Sequence, residues 1–243
     1  MLLYHGTNGA WLGNILRRGL EPRHGKPGRN NWTHVPHQSN ARCVYLTNSY
    51  APYFAFNAAQ GDPGYCAVVE IDTDRLDTDN LYPDEDFLEQ ASRNSRVDGM
   101  PPGLNMSGRT LWFRKRQFDY GADWGYRDPD TKLPTTWWEA SLKFLGTCCH
   151  RGTIPASAIT RAVSWPDKPN IGLHFVWDPT ITILNQRIVG AQYQALTAKL
   201  FGDETPRFEP VTVVATGEQI ENFDQRAVDA FDPAGIADLR RFP

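Results

Sequence analysis

The sequence predicts a mixed α and β fold of the α+β class, and three observations carry that prediction. Short apolar runs typical of strands recur along the chain, the clearest being YCAVVEID at 65–72. Elsewhere apolar residues recur at helical spacing, first between Trp11 and Leu16. The 243 residues, 40% of them hydrophobic, suffice for one large domain or for a core with an accessory lobe.

The chain opens with elements that local signals define. Residues 2–4 predict an apolar strand that ends at His5, because residues 6–8 supply a turn and a capping oxygen. A helix follows over 11–18, with two arginines in its last turn and Gly19 at its C-terminal cap. We therefore expect His5 at a strand end beside a helix start, where backbone groups can hold a ligand.

A long loop is predicted next, because residues 23–42 are rich in Gly, Asn, His and Pro. It leads to a strand at 43–47 and to a helix that begins near Ser49. After the strand at 65–72, residues 72–89 contain eight acidic side chains and one arginine. They lack the glycine and glutamate of a helix-loop-helix calcium site, so we expect a solvated loop.

The second half of the chain changes character. Residues 108–127 are both basic and aromatic, and a turn rich in Pro and Thr follows. We predict that 137–150 approach and enter a strand, and that 151–165 form a turn and another short strand. Residues 180–202 predict a helix, with a last short helix beyond it.

Composition excludes several classes of protein. The four cysteines form no C-x-x-C pair, so we expect neither a zinc site nor a disulfide framework, and adjacent Cys148 and Cys149 should point to opposite faces of a strand. The net charge of −3 argues neither for nor against a nucleic-acid partner. No run approaches the ~20 apolar residues of a membrane helix, and no cleavable signal opens the chain. We therefore expect a cytoplasmic protein without membrane contact.

Three motifs stand in order along the chain: YHGT at 4–7, VYLTNSYAPY at 44–53, and Glu139 ahead of a late strand. The first two resemble the NAD-binding half of the His-Tyr-Glu group of ADP-ribosyltransferases, the group of diphtheria toxin and the poly-ADP-ribose polymerases. The resemblance covers residues 2–60 well and 135–162 moderately. It implies an ADP-ribosyltransferase-like split β-sandwich with flanking helices, in which NAD lies between two small, roughly orthogonal sheets.

The resemblance also assigns roles in NAD binding. It makes His5 the residue that bonds the adenosine ribose, and the Gly6 backbone the holder of the nicotinamide carboxamide, with Thr7 beside them. Tyr45 and Tyr53 would sandwich the nicotinamide ring. A flat cationic pyridinium favours aromatic faces, by ~1 kcal/mol for each contact.

Two assignments have alternatives. The linker between Tyr45 and Tyr53 is shorter than is usual in the family, and Tyr50 is the alternative to Tyr53. Glu139 would bind the 2′-OH of the nicotinamide ribose, stabilise the oxocarbenium ion by ~3–4 kcal/mol and accept the proton of the attacking group. The alternative for Glu139 is a solvated carboxylate at a strand edge.

The acceptor of ADP-ribose is predicted from residues 109–127, which hold five basic, two acidic and six aromatic side chains. Unpaired bases stack on aromatic faces while arginines follow phosphates, so we expect single-stranded nucleic acid. Alternatively the aromatic residues fill the core and the arginines extend outward. The predicted acceptor-binding side chains are Arg109, Trp112, Arg114, Arg116 and Trp138.

The sequence thus predicts a mono-ADP-ribosyltransferase acting on RNA or DNA, as a toxin or phage-defence effector with a possible antitoxin. A protein acceptor and a non-catalytic NAD or nucleic-acid binding module are the alternatives. The opening also resembles the C-terminal lobe of tRNA 2′-phosphotransferases, but their basic N-terminal lobe has no counterpart ahead of the motif. We expect residues 1–165 to form the NAD-binding core and residues 166–243, with 11 acidic and 7 basic side chains, an accessory part.

Overall fold

The structure, a computed structural model, describes residues 1–23, 39–59, 65–91, 100–121, 125–128, 130–166, 193–203 and 237–239. The chain divides into two compact units of interleaved segments. The first unit contains Met1–Gly19, Thr47–Arg75 and Ala156–Pro243, and the second contains Leu20–Leu46 and Leu76–Pro155. The predicted boundary between residues 165 and 166 falls inside a strand of the first unit and does not coincide with this division.

Nine strands and six helices alternate irregularly along the described residues. In chain order they are β1 (Leu2–Asn8), α1 (Leu12–Arg18), β2 (Cys43–Thr47), α2 (Ala51–Ala59), β3 (Tyr65–Asp72), β4 (Leu81–Pro83), α3 (Glu85–Ala91), α4 (Met106–Arg116), β5 (Tyr126–Arg127), β6 (Pro134–Thr135), α5 (Trp137–Leu145), β7 (Thr147–Arg151), β8 (Ile159–Pro166), α6 (193–200) and β9 (Ala237–Leu239). Short 3-10 helices cover Gly9–Trp11, Thr73–Arg75, Thr78–Asn80, Gln117–Asp119 and Ala156–Ala158. The predicted mix of helices and strands is therefore confirmed, and it is compatible with the α+β class.

The first unit contains an antiparallel sheet in the order β1-β3-β8-β9. Strand β1 pairs with β3 along its whole length, so that His5 lies opposite Val69 in mid-strand. The prediction that the strand ends at His5 is wrong, because Gly6 and Thr7 continue the ladder instead of forming a turn. Asn8 does supply the predicted capping oxygen, which accepts the Ala10 N–H at 2.8 Å.

Gly6 is a glycine for a packing reason. A Cβ atom at this position would lie 2.1 Å from the carbonyl oxygen of Ala51 and 2.5 Å from the backbone nitrogen of Ala55, both in α2. Helix α2 therefore lies directly against the backbone of β1, which a side chain at position 6 would prevent.

The core of the first unit combines the first strand of the chain with helix α6 from its later part. Tyr4, Ala55 and Val68 are buried together with Tyr193 and Leu196 of α6. Thus α6, although it belongs to the predicted accessory part, completes the core that β1, β3 and α2 begin. Residues 180–192 of the predicted helix lie outside the described residues, as do most of the predicted loop at 23–42 and of the region predicted to hold a last short helix.

Helix α1 forms as its local signals predict. Its last turn carries Arg17 and Arg18, and Gly19 adopts φ +89° while its N–H donates to Ile15 O at 2.7 Å. A positive φ at a helix C-terminus favours glycine, so the sequence identifies this end correctly.

The second unit contains strands in the order β4-β7-β2, and β4 pairs antiparallel with β7. Two predictions are wrong here. The acidic stretch is a solvated loop only in part, since it also forms β4 and the start of α3, where Asp84 and Glu85 are buried. Residues 137–145 form helix α5 before strand β7, which follows the C-cap residue Gly146.

All four cysteines are buried. Cys148 and Cys149 lie in β7 as predicted, Cys43 in β2 and Cys66 in β3. Among the described residues no helix has the length and apolar character needed to cross a membrane.

Candidate functional site

The hydroxyl of Tyr45, predicted to stack on nicotinamide, is held inside the second unit. It donates to Glu85 Oε2 at 2.5 Å and accepts the backbone N–H of Asn40 at 2.9 Å. Burial, and then the charge of Glu85, raise the pKa of Tyr45 well above its usual value, so the hydroxyl remains a donor. The residue as a whole is only partly buried. Its polar end is therefore fixed, while the residue as a whole keeps some exposed surface.

Gln117 extends this arrangement into a closed ring of four residues. Its Nε2 donates to Glu85 Oε2 at 3.0 Å and to Pro83 O at 2.8 Å, and its Oε1 accepts from Asn40 Nδ2 at 3.2 Å. Asn40 thus donates to Tyr45 and to Gln117, and both of these residues donate to Glu85. We call these four residues the Tyr45 network.

The carboxylate of the Tyr45 network has a loose ion pair with Arg114. Arg114 Nη2 lies 3.7 Å from Glu85 Oε1, beyond hydrogen-bond distance, and Arg114 Nε is a buried donor without a hydrogen-bond partner among the described residues. Burial, and then the charge of Asp86, raise the pKa of Glu85. Burial and the charge of Glu85 likewise raise the pKa of Asp84 to about 7.

Glu139 lies in the first turn of α5, not immediately before a strand or at a strand edge. Its Oε2 accepts from Thr136 Oγ1 at 2.6 Å, Thr135 Oγ1 at 3.1 Å and Thr136 N at 3.2 Å. Its backbone N–H donates back to Thr136 Oγ1, which completes a capping box. Glu139 Oε1 makes no hydrogen bond with a described residue, and the residue is partly exposed. One oxygen is therefore anchored and the other is available.

The remaining NAD-binding candidates lie in the first unit. His5, Gly6 and Thr7 occupy the middle of β1, and helix α2, which packs on β1, carries Tyr53. Tyr53 is partly buried and contacts the Tyr193 ring at a centroid distance of 6.0 Å.

Tyr50, the alternative to Tyr53, lies deeper. It is buried between Phe54 and Tyr193, with edge-to-face ring contacts at 6.4 and 6.0 Å. Of the two tyrosines, Tyr53 is the one with accessible surface. The predicted residues thus form two sets: His5, Gly6, Thr7 and Tyr53 in the first unit, and Tyr45, Glu139 and the acceptor-binding candidates in the second.

The predicted acceptor surface is largely directed inward. Arg109 and Arg114 of α4 lie within ion-pair distance of Glu89 and Glu85 of α3, at 3.8 and 3.7 Å, and their side chains are only 19% and 17% exposed. Trp138 is 7% exposed, so its ring has almost no surface on which a base could stack.

What remains of the acceptor surface is the outer face of α4. The guanidinium of Arg116 lies 4.9 Å above the Trp112 ring and pairs with Asp119 at 2.9 Å. Leu111 and Lys115 are exposed on the same helix. This face offers one arginine on one aromatic ring, fewer groups than the sequence predicts.

Compared with models of known protein families, the chain matches none, and no curated protein sequence matches it. The candidate site therefore depends on the motifs and on the geometry.

Sequence reasoning did not identify Glu85, Gln117 and Asn40 as site residues. The acidic run that contains Glu85 resembled a solvated loop, and neither amide belongs to a motif. The available signal was the pattern DEDFLEQ at 84–90, in which Asp84 precedes a possible helix with apolar residues at 87 and 88.

Proposed function

We propose that this protein is a mono-ADP-ribosyltransferase that uses NAD as a co-substrate. The observation that carries the proposal is the state of Glu139, the residue that the family resemblance makes catalytic. Its Oε2 is fixed by Thr135 and Thr136, while Oε1 makes no hydrogen bond with a described residue. A carboxylate held in this way is preorganised for charge that develops outside it.

In the proposed reaction Glu139 has two functions, to stabilise charge on the ribose and to accept a proton. As the bond between nicotinamide and ribose C1′ breaks, nicotinamide leaves with the electron pair and positive charge develops on the ribose. Oε1 would bond the ribose 2′-OH and stabilise that charge, a contribution of ~3–4 kcal/mol for one such group. The acceptor nucleophile then forms its bond to C1′ and releases a proton that Glu139 can take.

The other residues would bind the co-substrate. Tyr45 and Tyr53, which are only partly buried, would stack on the nicotinamide. His5 would bond the adenosine ribose, and the backbone of Gly6, with Thr7, the carboxamide.

For the acceptor we propose a single-stranded nucleic acid, modified by a cytoplasmic toxin or phage-defence effector that an antitoxin could restrain. The support is Arg116 stacked on Trp112, with Lys115 exposed on the same helix. An arginine on an aromatic ring suits phosphate and base together. Arg109, Arg114 and Trp138 are not part of this proposal, because their side chains are mostly buried.

The experiment is to incubate the purified protein with NAD labelled in its adenylate group and with cell lysate. We expect release of free nicotinamide, and label in material that nuclease degrades and protease does not. Label in protease-sensitive material would overturn the nucleic-acid acceptor and favour the protein-modifying alternative.

The second candidate is a non-catalytic NAD-binding module. The capping box favours it, because helix α5 alone gives position 139 a structural reason to be Glu. A wild-type protein that binds NAD but releases no nicotinamide with any acceptor would establish this alternative.

A further inference from the structure

Burying the carboxylate of Glu85 lowers the stability of the fold, so a contribution to stability does not explain why this residue is a glutamate. The residue is 4% exposed, and its two hydrogen bonds to Tyr45 and Gln117 come from neutral donors. A buried carboxylate is expensive even in an ion pair, and Arg114, at 3.7 Å, lies too far away to donate a hydrogen bond to it. A glutamine in the same place could accept the Tyr45 hydroxyl bond without burying a charge.

What a charged acceptor adds is a stronger and shorter bond. Hydrogen bonds to ionised acceptors are about twice as strong as neutral ones, and the 2.5 Å distance from Tyr45 to Glu85 belongs to the short class. Gln117, which is fully buried, fixes the carboxylate in turn through Nε2. The Tyr45 hydroxyl therefore has one defined position, set from inside the second unit.

The fixed hydroxyl limits the motion of the aromatic ring of Tyr45. A ring held at its hydroxyl end loses little freedom when a flat ligand stacks on it, and this preorganisation increases affinity. We propose that Glu85 is a positioning residue, supported by Gln117, that holds the Tyr45 ring for stacking on the nicotinamide of NAD. This inference rests on the proposed function.

The test is a double-mutant cycle on full-length protein with Glu85→Gln, Tyr45→Phe and the double variant. We expect Glu85→Gln to raise the KM for NAD about tenfold and to change kcat less, as the loss of one charge-assisted bond implies. Its midpoint of urea unfolding should be no lower than that of wild type, because a buried charge has been removed. In the Tyr45→Phe background the same substitution should change KM less than twofold, since the hydroxyl is already absent.

Glu89→Gln is the matched control. Glu89 is buried in the same helix α3 and pairs with Arg109. The KM of the Glu89→Gln variant for NAD should therefore stay within twofold of the wild-type value. An unchanged KM in Glu85→Gln, or an equal rise in both backgrounds, would overturn the positioning role. A lowered unfolding midpoint with unchanged KM would show that Glu85 is purely structural.

A second measurement separates this inference from the proposed function. Exchange of the Tyr45 hydroxyl proton with water, followed by NMR of protein with ¹³Cζ-labelled tyrosine, reports the bond to Glu85 without any substrate. We expect faster exchange in Glu85→Gln than in wild type, and an equal rate would overturn the positioning role. If the wild type neither binds NAD nor releases nicotinamide, the proposed function fails, and the exchange rate still decides whether Glu85 holds the hydroxyl.

Discussion

Each of the two units contains a buried glutamate, and the two glutamates have different hydrogen-bond partners. In the first unit Glu70 faces Arg161, whose Nε donates to Oε1 at 2.9 Å and whose Nη2 donates to Oε2. In the second unit Glu85 accepts from Tyr45 and Gln117, and the guanidinium nearest to it stays 3.7 Å away. Glu70 is fully paired, as in a scaffold. Glu85 has an ion pair without a direct hydrogen bond from the guanidinium, and our proposal gives it a positioning role.

The partners of Arg161 show what the scaffold network holds. The guanidinium also donates to both carboxylate oxygens of Asp203, at 3.1 and 2.9 Å, and lies 4.6 Å above the Phe201 ring. These residues follow helix α6, while Arg161 lies in β8. The network therefore joins the end of α6 to the sheet of the first unit.

The largest effect predicted from this comparison is that of Arg161→Ala. It would leave Glu70 and Asp203 without their cation and lower the free energy of unfolding by ~3–5 kcal/mol, measured by urea denaturation. Arg116→Ala, which breaks an exposed pair with Asp119, is the control and should cost less than ~1 kcal/mol. A loss below ~1 kcal/mol for Arg161→Ala would contradict the scaffold role.

A smaller effect tests the helix-on-strand contact in the same unit. Gly6→Ala would place Cβ 2.1 Å from Ala51 O, so α2 must shift, and we expect a cost of ~1–3 kcal/mol. Gly13→Ala is the control, because nothing lies within 4 Å of that position and alanine favours the helix by about 0.5 kcal/mol. Equal unfolding midpoints for the two variants would show that the close contact is unimportant.

The pH dependence of stability tests a buried carboxyl group in the second unit, that of Asp84. The pKa of Asp84 rises from 3.8 to about 7 on folding, so between these values the folded state holds a proton that the unfolded state has released. Its contribution to the free energy of unfolding therefore decreases as pH rises across that interval. In Asp84→Asn we expect a smaller decrease between pH 5 and pH 7.5 than in wild type, measured by urea denaturation at both values. An identical decrease would contradict the buried, protonated state of Asp84.

Elements with local signals could be predicted from the sequence. The β-branched run of β3 and the Gly19 cap of α1 depend only on neighbours in the chain. Helix α5 carried such signals too, in the spacing of Thr136 and Glu139 and in Gly146, but its aromatic residues favoured the interpretation as an approach to a strand.

The features that sequence reasoning missed depend on distant contacts. Gly6 resembled a turn residue because the approach of α2 to β1 is a tertiary contact. Tyr45 and Glu85 are 40 residues apart, and Glu85 and Gln117 are 32 residues apart, so no local pattern relates them. The motifs selected Tyr45 and Glu139 as candidates, whereas the residues that hold Tyr45 emerged only from the structure.

The rate of nicotinamide release by Glu139→Gln, compared with Thr136→Ala and wild type, tests the central claim most directly. Glutamine also serves in a capping box, so Glu139→Gln should lower kcat by ~10²–10³-fold with urea unfolding unchanged. Thr136→Ala should cost ~1 kcal/mol of stability and lower kcat less than Glu139→Gln does, because Thr135 still donates to Oε2. Full turnover in Glu139→Gln would contradict the account and leave Glu139 with its capping role alone.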